Sequence, residues 1–237
     1  RRSIPKNGGD PGFFFYETQE GVHFKSIDSL ISQDPVETYT YSSGLTANLD
    51  NDENDFRILL PPNIIKDQNI EDSLKWTSSR NVFFNPQTFE VEDSVYSIKS
   101  TPPKQTLGKP VPYTDKLKPK GYSTTNYHIL DIGSLDPTNI NPNNDPREWQ
   151  AKSPMRYNLL HSQIMEIQVP CNLKLRAGKV LRCEIERQGG SKALGAIDEQ
   201  QSGKYLIMHL CHHFDTSRSY TSMTLVRDTY GLYVNNK

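Results

Sequence analysis

Between Gln163 and Asp228 the chain carries a succession of short segments with apolar residues at every second position, each closed by turn residues. "QIMEIQVP" (163–170) alternates and stops at Pro170. "NLKLRAGKVLRCEIER" (172–187) predicts strand, Ala-Gly turn, strand. "QGGSKALGAIDEQQSG" (188–203) is a polar, glycine-rich loop, and "KYLIMHLCHHF" (204–214) is a further strand. "DTSRS" predicts a turn and "YTSMTLVRD" (220–228) the last strand. A side-chain period of two cannot be satisfied by a helix. Strands at such spacing, joined by hairpins, point to a small antiparallel barrel or sandwich.

The strand 204–214 crowds His209, Cys211, His212 and His213 into five positions. Strict alternation puts Leu206, Met208, Leu210, His212 and Phe214 on one face, the better core face, and Tyr205, Ile207, His209, Cys211 and His213 on the other. The second face bears no formal charge, so cover by another domain or subunit is expected there. A metal reading uses His209, Cys211 and His213, which recur about 7 Å apart. A closed zinc site wants four N or S donors, so it would have to borrow Cys171 or Cys183 from a neighbouring strand. The packing reading is preferred. Three cysteines (Cys171, Cys183, Cys211) are an odd number without paired spacing, which speaks for reduced thiols.

Upstream, "GFFFYETQEGVHFKSI" (12–27) predicts an aromatic hairpin. "ETYTYSSGL" alternates loosely, "DNDEND" (50–55) is an acidic loop, and "NIEDSLKW" (69–76) a short helix capped by Asn69. "RNVFFNPQTFEVEDSVYSIK" (80–99) is strand, Asn-Pro turn, strand. Residues 101–151 open with five prolines and five lysines in "TPPKQTLGKPVPYTDKLKPKG" and continue through "DPTNINPNNDP". They predict an extended arm with one short strand, "YHILDIG" (127–133). "SPMRYNLLH" (153–161) predicts a helix with Ser153 as N-cap and Pro154 at its first position. The domains expected are therefore a mixed lobe at 1–100, an arm at 101–151 and a barrel at 152–237. The fold class expected is mainly β, α+β.

Most catalytic classes find no support. "DNDENDFRILLP" starts like a calcium loop at Asp50, Asp52 and Asn54, but Asp55 stands where the turn needs Gly, and Pro61 where it needs Glu. "GGSK" lacks P-loop spacing, and no Gly-x-Ser-x-Gly elbow occurs. No enzymatic activity, metal or cofactor is expected. With a formal charge of −1 and no long Lys or Arg run, no specific nucleic acid is expected as partner. Apolar runs of only a few residues predict no membrane span. The opening residues carry no signal-peptide pattern, and a start without Met is expected of a processed product or of part of a longer chain.

The C-terminal third resembles the last domain of phage tail (baseplate) hub proteins, a family related to the base of type VI secretion spike proteins. The likeness rests on an ordered string: "IQVPCN", then "LKLRAGKVLRCEI", then "SGKYLIMHLCHHF", then "SYTSMTLVRD". The matching positions at its end are Ser202, Gly203, Lys204, Tyr205, Leu206, Ile207, His212, Tyr220, Thr221, Leu225 and Asp228. "GFFFYETQEGVHFKSID" resembles the family's helix-to-hairpin segment. Cys171 departs from the family, where Gly is common after the proline, and the family's first barrel has no counterpart here.

The resemblance implies a tube-type barrel and a homotrimer of structural subunits. Such a trimer joins the six-fold tail tube to the three-fold central spike, with baseplate wedge proteins as further partners. The implied location is the virion tail baseplate, assembled in the host cytoplasm. Assembly contacts are expected at Tyr205, Ile207, His209, Cys211, His213, Gly178 and Gly203, with His212 hydrogen-bonded inside the barrel. The same fold would serve a secretion-system or tailocin spike base. A different class, a carbohydrate-binding β-module, would need exposed aromatic platforms.

Overall fold

In the computed structural model the described residues are 3–6, 8–42, 56–67, 77–98, 100–108, 121–132, 141, 143–187 and 196–229. The expected acidic loop (50–55) and the helix at 69–76 lie outside them, as does the first half of the glycine-rich loop, 188–195.

Strands dominate. β1 (Phe13–Thr18) and β2 (Gly21–Ser26) form the expected aromatic hairpin, and α1 (Ile27–Ile31) follows with Ser26 as its cap. β3 (Thr38–Tyr41), β4 (Asn63–Lys66), β5 (Ser78–Phe84), β6 (Val91–Ser97) and β7 (Thr124–Ile129) come next. Two short helices, α2 (Pro146–Trp149) and α3 (Lys152–Leu160), lead into β8 (Gln163–Pro170), β9 (Val180–Ile185), β10 (Gly203–Phe214) and β11 (Ser219–Arg227).

The four C-terminal strands pair antiparallel as the alternation predicts, but they do not stand alone. The sheet order is β3-β9-β10-β11-β8-β4. β3 joins β9 in parallel and β4 joins β8 antiparallel, so two strands from the first hundred residues complete the sheet, which is mixed. It curls into a half-barrel. Residues 56–59 span the gap: the Thr40 N–H donates to Phe56 O, the Ile58 N–H to Thr40 O, and the Leu59 N–H to Gln168 O on β8. This corrects the expectation of a self-contained antiparallel barrel at 152–237. Short-range alternation reveals strands and hairpins, but not a pairing between residues more than a hundred positions apart.

The boundary at residue 101 is crossed as well. β7 belongs to the stretch read as an arm, yet it pairs in parallel with β5 in the sheet β6-β5-β7. Leu107 is buried, and its N–H donates to Asp228 Oδ1 (2.9 Å).

Two further expectations fail locally. "NLKLR" is turn rather than strand, because Asn172 gathers the backbone: its side-chain oxygen accepts from the Lys174 N–H (3.0 Å) and its carbonyl from the Leu175 N–H (3.2 Å). Leu175 thereby plugs the core. Ser153 is not a cap, since the helix begins at Lys152 after Ala151 and Ser153 is fully buried within it.

The inner face of the half-barrel holds the main core. Tyr39, Met165, Ile167, Val169, Leu181, Cys183, Ile185, Tyr205, Ile207, Met223 and Leu225 pack there with Ile58 of the spanning segment. At one end the outer face is covered: Ile164, Val180, Leu206 and Val226 meet α1, Leu160 of α3, and Phe14 and Tyr16 of the hairpin. At the other end no described residue covers the outer face.

Candidate assembly surface

β10 governs which residues reach that end. A β-bulge at Met208 interrupts its pairing with β11: Ile207 sits opposite Leu225, and His209 opposite Thr224. Two residues on β10 then answer one on β11, and the alternation shifts by one position. Tyr205 and Ile207 point inward, and beyond the bulge it is Leu210 that packs against the inner core. His209, Cys211 and His213 are thrown to the outside. The single face predicted from strict alternation is therefore split. Tyr205 and Ile207, expected at an assembly contact, are 0% exposed and belong to the chain's own core.

On the outside, His209, Cys211 and His213 line a shallow groove of about 480 Å³ with Leu60, Glu166, Gln168 and Ser222 among its walls. The cross-strand register builds it. His209 neighbours Thr224, which neighbours Glu166, which neighbours Asn63; Cys211 neighbours Ser222, which neighbours Gln168. The rows are polar and fixed by hydrogen bonds. His213 Nε2 bonds Ser222 Oγ (2.9 Å), and its ring stacks on Tyr220 with centroids 4.5 Å apart. Asn63 Nδ2 donates to Glu166 Oε2 (3.3 Å). His212 points elsewhere: its Nδ1 bonds Oγ1 of the buried Thr221 (2.8 Å), the partner that could not be named from sequence. Partial burial, then the neighbouring Arg176 and His213, hold the His212 pKa below its ordinary value.

Among the described residues no three His, Cys, Asp or Glu side chains converge as a metal site. Cys183, one of the two further donors the zinc reading offered beside Cys171, lies in the inner core, where burial pushes its thiol up to about 12.

The two glycines expected at assembly contacts serve internal packing. Gly178 has φ +81°, and a Cβ there would lie 2.7 Å from Tyr16 Cζ, so the hairpin docks directly on this turn. Its carbonyl also accepts from Gln33 Nε2 (2.8 Å). Gly203 has φ +137° and lies against Arg227, with Nη1 3.0 Å from where a Cβ would stand.

Sequence reasoning missed the buried arginines. Arg156 on α3 donates to Asp228 Oδ2 (2.9 Å), Asp28 Oδ1 (3.1 Å) and the Gln105 carbonyl (2.8 Å), joining four distant segments. Arg227 donates to the Ser202 carbonyl (2.8 Å), with its guanidinium 4.7 Å from the Tyr205 ring centre. The sequence carried no local signal for either, since their partners are far along the chain or on another strand.

The described residues thus define a mainly β protein built on a curled mixed sheet, with open polar and apolar faces. No family model matches the chain, and no curated protein matches it. Solved structures do: 14 chains match. One is the crystal structure of the tail protein from Neisseria meningitidis MC58, which aligns with 93% of this chain at 10% identity and a TM-score of 0.50. This chain spans about half of that protein's length, 51%. What the two share is a fold. Among the described residues, no helix is long and apolar enough to cross a membrane.

Proposed function

We propose that the chain is a structural subunit of a phage tail hub. In this reading three copies form a ring that adapts the six-fold tube to the three-fold spike, within the virion baseplate. The observation that carries it is the fold shared with a tail protein over 93% of the chain. The ordered string ending in "SGKYLIMHLCHHF" and "SYTSMTLVRD" supports it. The chain works by being built into an assembly rather than by catalysis. The groove lined by His209, Cys211 and His213 is the surface this reading offers to a neighbouring tail component, with tube, spike and wedge proteins as candidates.

The test is the mass of the full-length protein by light scattering. Three chain masses are expected, and a single chain mass at all concentrations contradicts the proposal. A secretion-system or tailocin spike base would use the same ring, and tail sheath and capsid components in the same particle separate a phage from either. One observation favours a carbohydrate-binding module instead: Phe89, in the turn between β5 and β6, and Tyr127, on β7 of the same sheet, are each 79% exposed. Saturable glycan binding by a monomer, lost on Tyr127→Ala, would select that reading.

A further inference from the structure

The sheet β6-β5-β7 has one face turned to the body of the chain and one turned away. In-register partners share a face, so the pairings place Arg80, Val82, Phe84, Val91, Asp93, Val95, Tyr127 and Ile129 together on the outer one. Phe89, in the turn, packs edge-on against Phe84. The opposite face bears the buried Ser79, Asn81 and Phe83.

The outer face is largely apolar, and among the described residues nothing covers it. Ile129 is 71% exposed, and Phe84, Val91 and Val95 are also exposed. Taking an aromatic side chain at about 200 Å² and an aliphatic one at roughly three quarters of that, the open surface of these residues is about 700 Å². That approaches the roughly 800 Å² one partner gives to a standard interface and lies above the roughly 300–600 Å² of a monomer's largest patch. Its charges cancel, since the Arg80 Nε donates to Asp93 Oδ2 (2.7 Å) and the guanidinium lies over the Tyr122 ring.

The hairpin carries a second such face. Phe15 and Phe24 are partners, as are Glu17 and Val22, and Phe13 stacks on Phe24 at 4.8 Å. Phe14 and Tyr16 point the other way, into the body. Phe15, Val22 and Phe24 stay exposed, with Glu17 the one charge among them.

We infer that these two faces are the two halves of one contact between copies of this chain: the outer face of β6-β5-β7 receives the aromatic hairpin of the next copy. The inference rests on the proposed trimer and names the surfaces that close it. A ring of three identical chains is joined head to tail, so the patch on one copy must meet a different patch on the next. The chain offers two apolar faces of that kind, and neither presents a like-charge barrier to the other.

The test compares the full-length protein with two double variants, Tyr127→Lys/Ile129→Lys and Phe15→Lys/Phe24→Lys, by sedimentation. Far-ultraviolet circular dichroism serves as the check on folding. The wild type is expected at three chain masses, and each variant at one third of that with an unchanged spectrum. A second measurement uses a short bis-maleimide in a Cys171→Ser/Cys211→Ser background. Chains carrying Phe24→Cys mixed with chains carrying Ile129→Cys should cross-link, and neither alone should. A trimer that survives either double variant, or cross-links that join only like faces, overturns the inference and leaves the hub function standing. A wild-type monomer removes both.

Discussion

Arg156 shows how single residues hold this molecule together. Its side chain is 2% exposed and faces Asp28 and Asp228, themselves nearly buried. Removing one partner of a buried ion pair leaves the other charge without compensation, at a cost of about 3–5 kcal/mol. Arg156→Met is therefore expected to lower unfolding stability by roughly that amount. It should also speed hydrogen exchange at the Leu107 amide, which is held by Asp228. A second contrast concerns glycine. Gly178→Ala must accept both a positive φ and contact with Tyr16, whereas Gly21→Ala at φ +122° meets nothing within 4 Å. The first should cost about 2–4 kcal/mol and the second about 1 kcal/mol in a denaturant titration. His212 supplies the pH dependence. Its folded pKa lies below the usual 6.5, so the folded chain favours the neutral ring and protonation favours the unfolded chain. Stability is full above pH 6.5 and falls as pH drops from there through the lowered folded value. His128 acts in the same direction because burial lowers it too. His212→Gln should thus reduce the fall in melting temperature between about pH 7.5 and 5.5 without abolishing it.

At the scale of elements, most strands were legible in the sequence. The aromatic hairpin, the pair flanking Asn85 and the strands at 163–170 and 220–228 come from patterns within ten residues. What could not be read is what a pattern leaves free. The bulge at Met208 has no sequence mark, because "LIMHL" alternates equally well with or without it, and one inserted residue reassigns every side chain beyond. Hence strict alternation grouped His209, Cys211 and His213 of the groove with two core residues, Tyr205 and Ile207. Thiol labelling tests the bulge. With it, Cys211 is exposed and reacts readily in the isolated native chain, while the buried Cys183 reacts only on unfolding. Without it, Cys211 would share the core with Ile207 and be protected. In a Cys171→Ser background, Cys211→Ser should remove the fast phase, and assembly into a tail that covers the groove should slow it.

At the scale of the whole molecule, long-range pairing decides the architecture. Residues 152–237 looked like an independent barrel, yet Tyr39 of β3 is 1% exposed in its core, and Ile58 closes the gap between its edges. A fragment of residues 152–237 alone is expected to melt without a cooperative transition and to regain one when combined with residues 1–151. The same interleaving turns three expected segments into one body with two largely apolar faces and a groove that no described residue covers. The most direct test of the hub function is a three-dimensional image of the intact tail, reconstructed without imposed symmetry, with this protein located by a fused tag. Three copies in a ring where the tube meets the spike are predicted. Tagged density along the tube, on peripheral fibres or absent from the particle would contradict it.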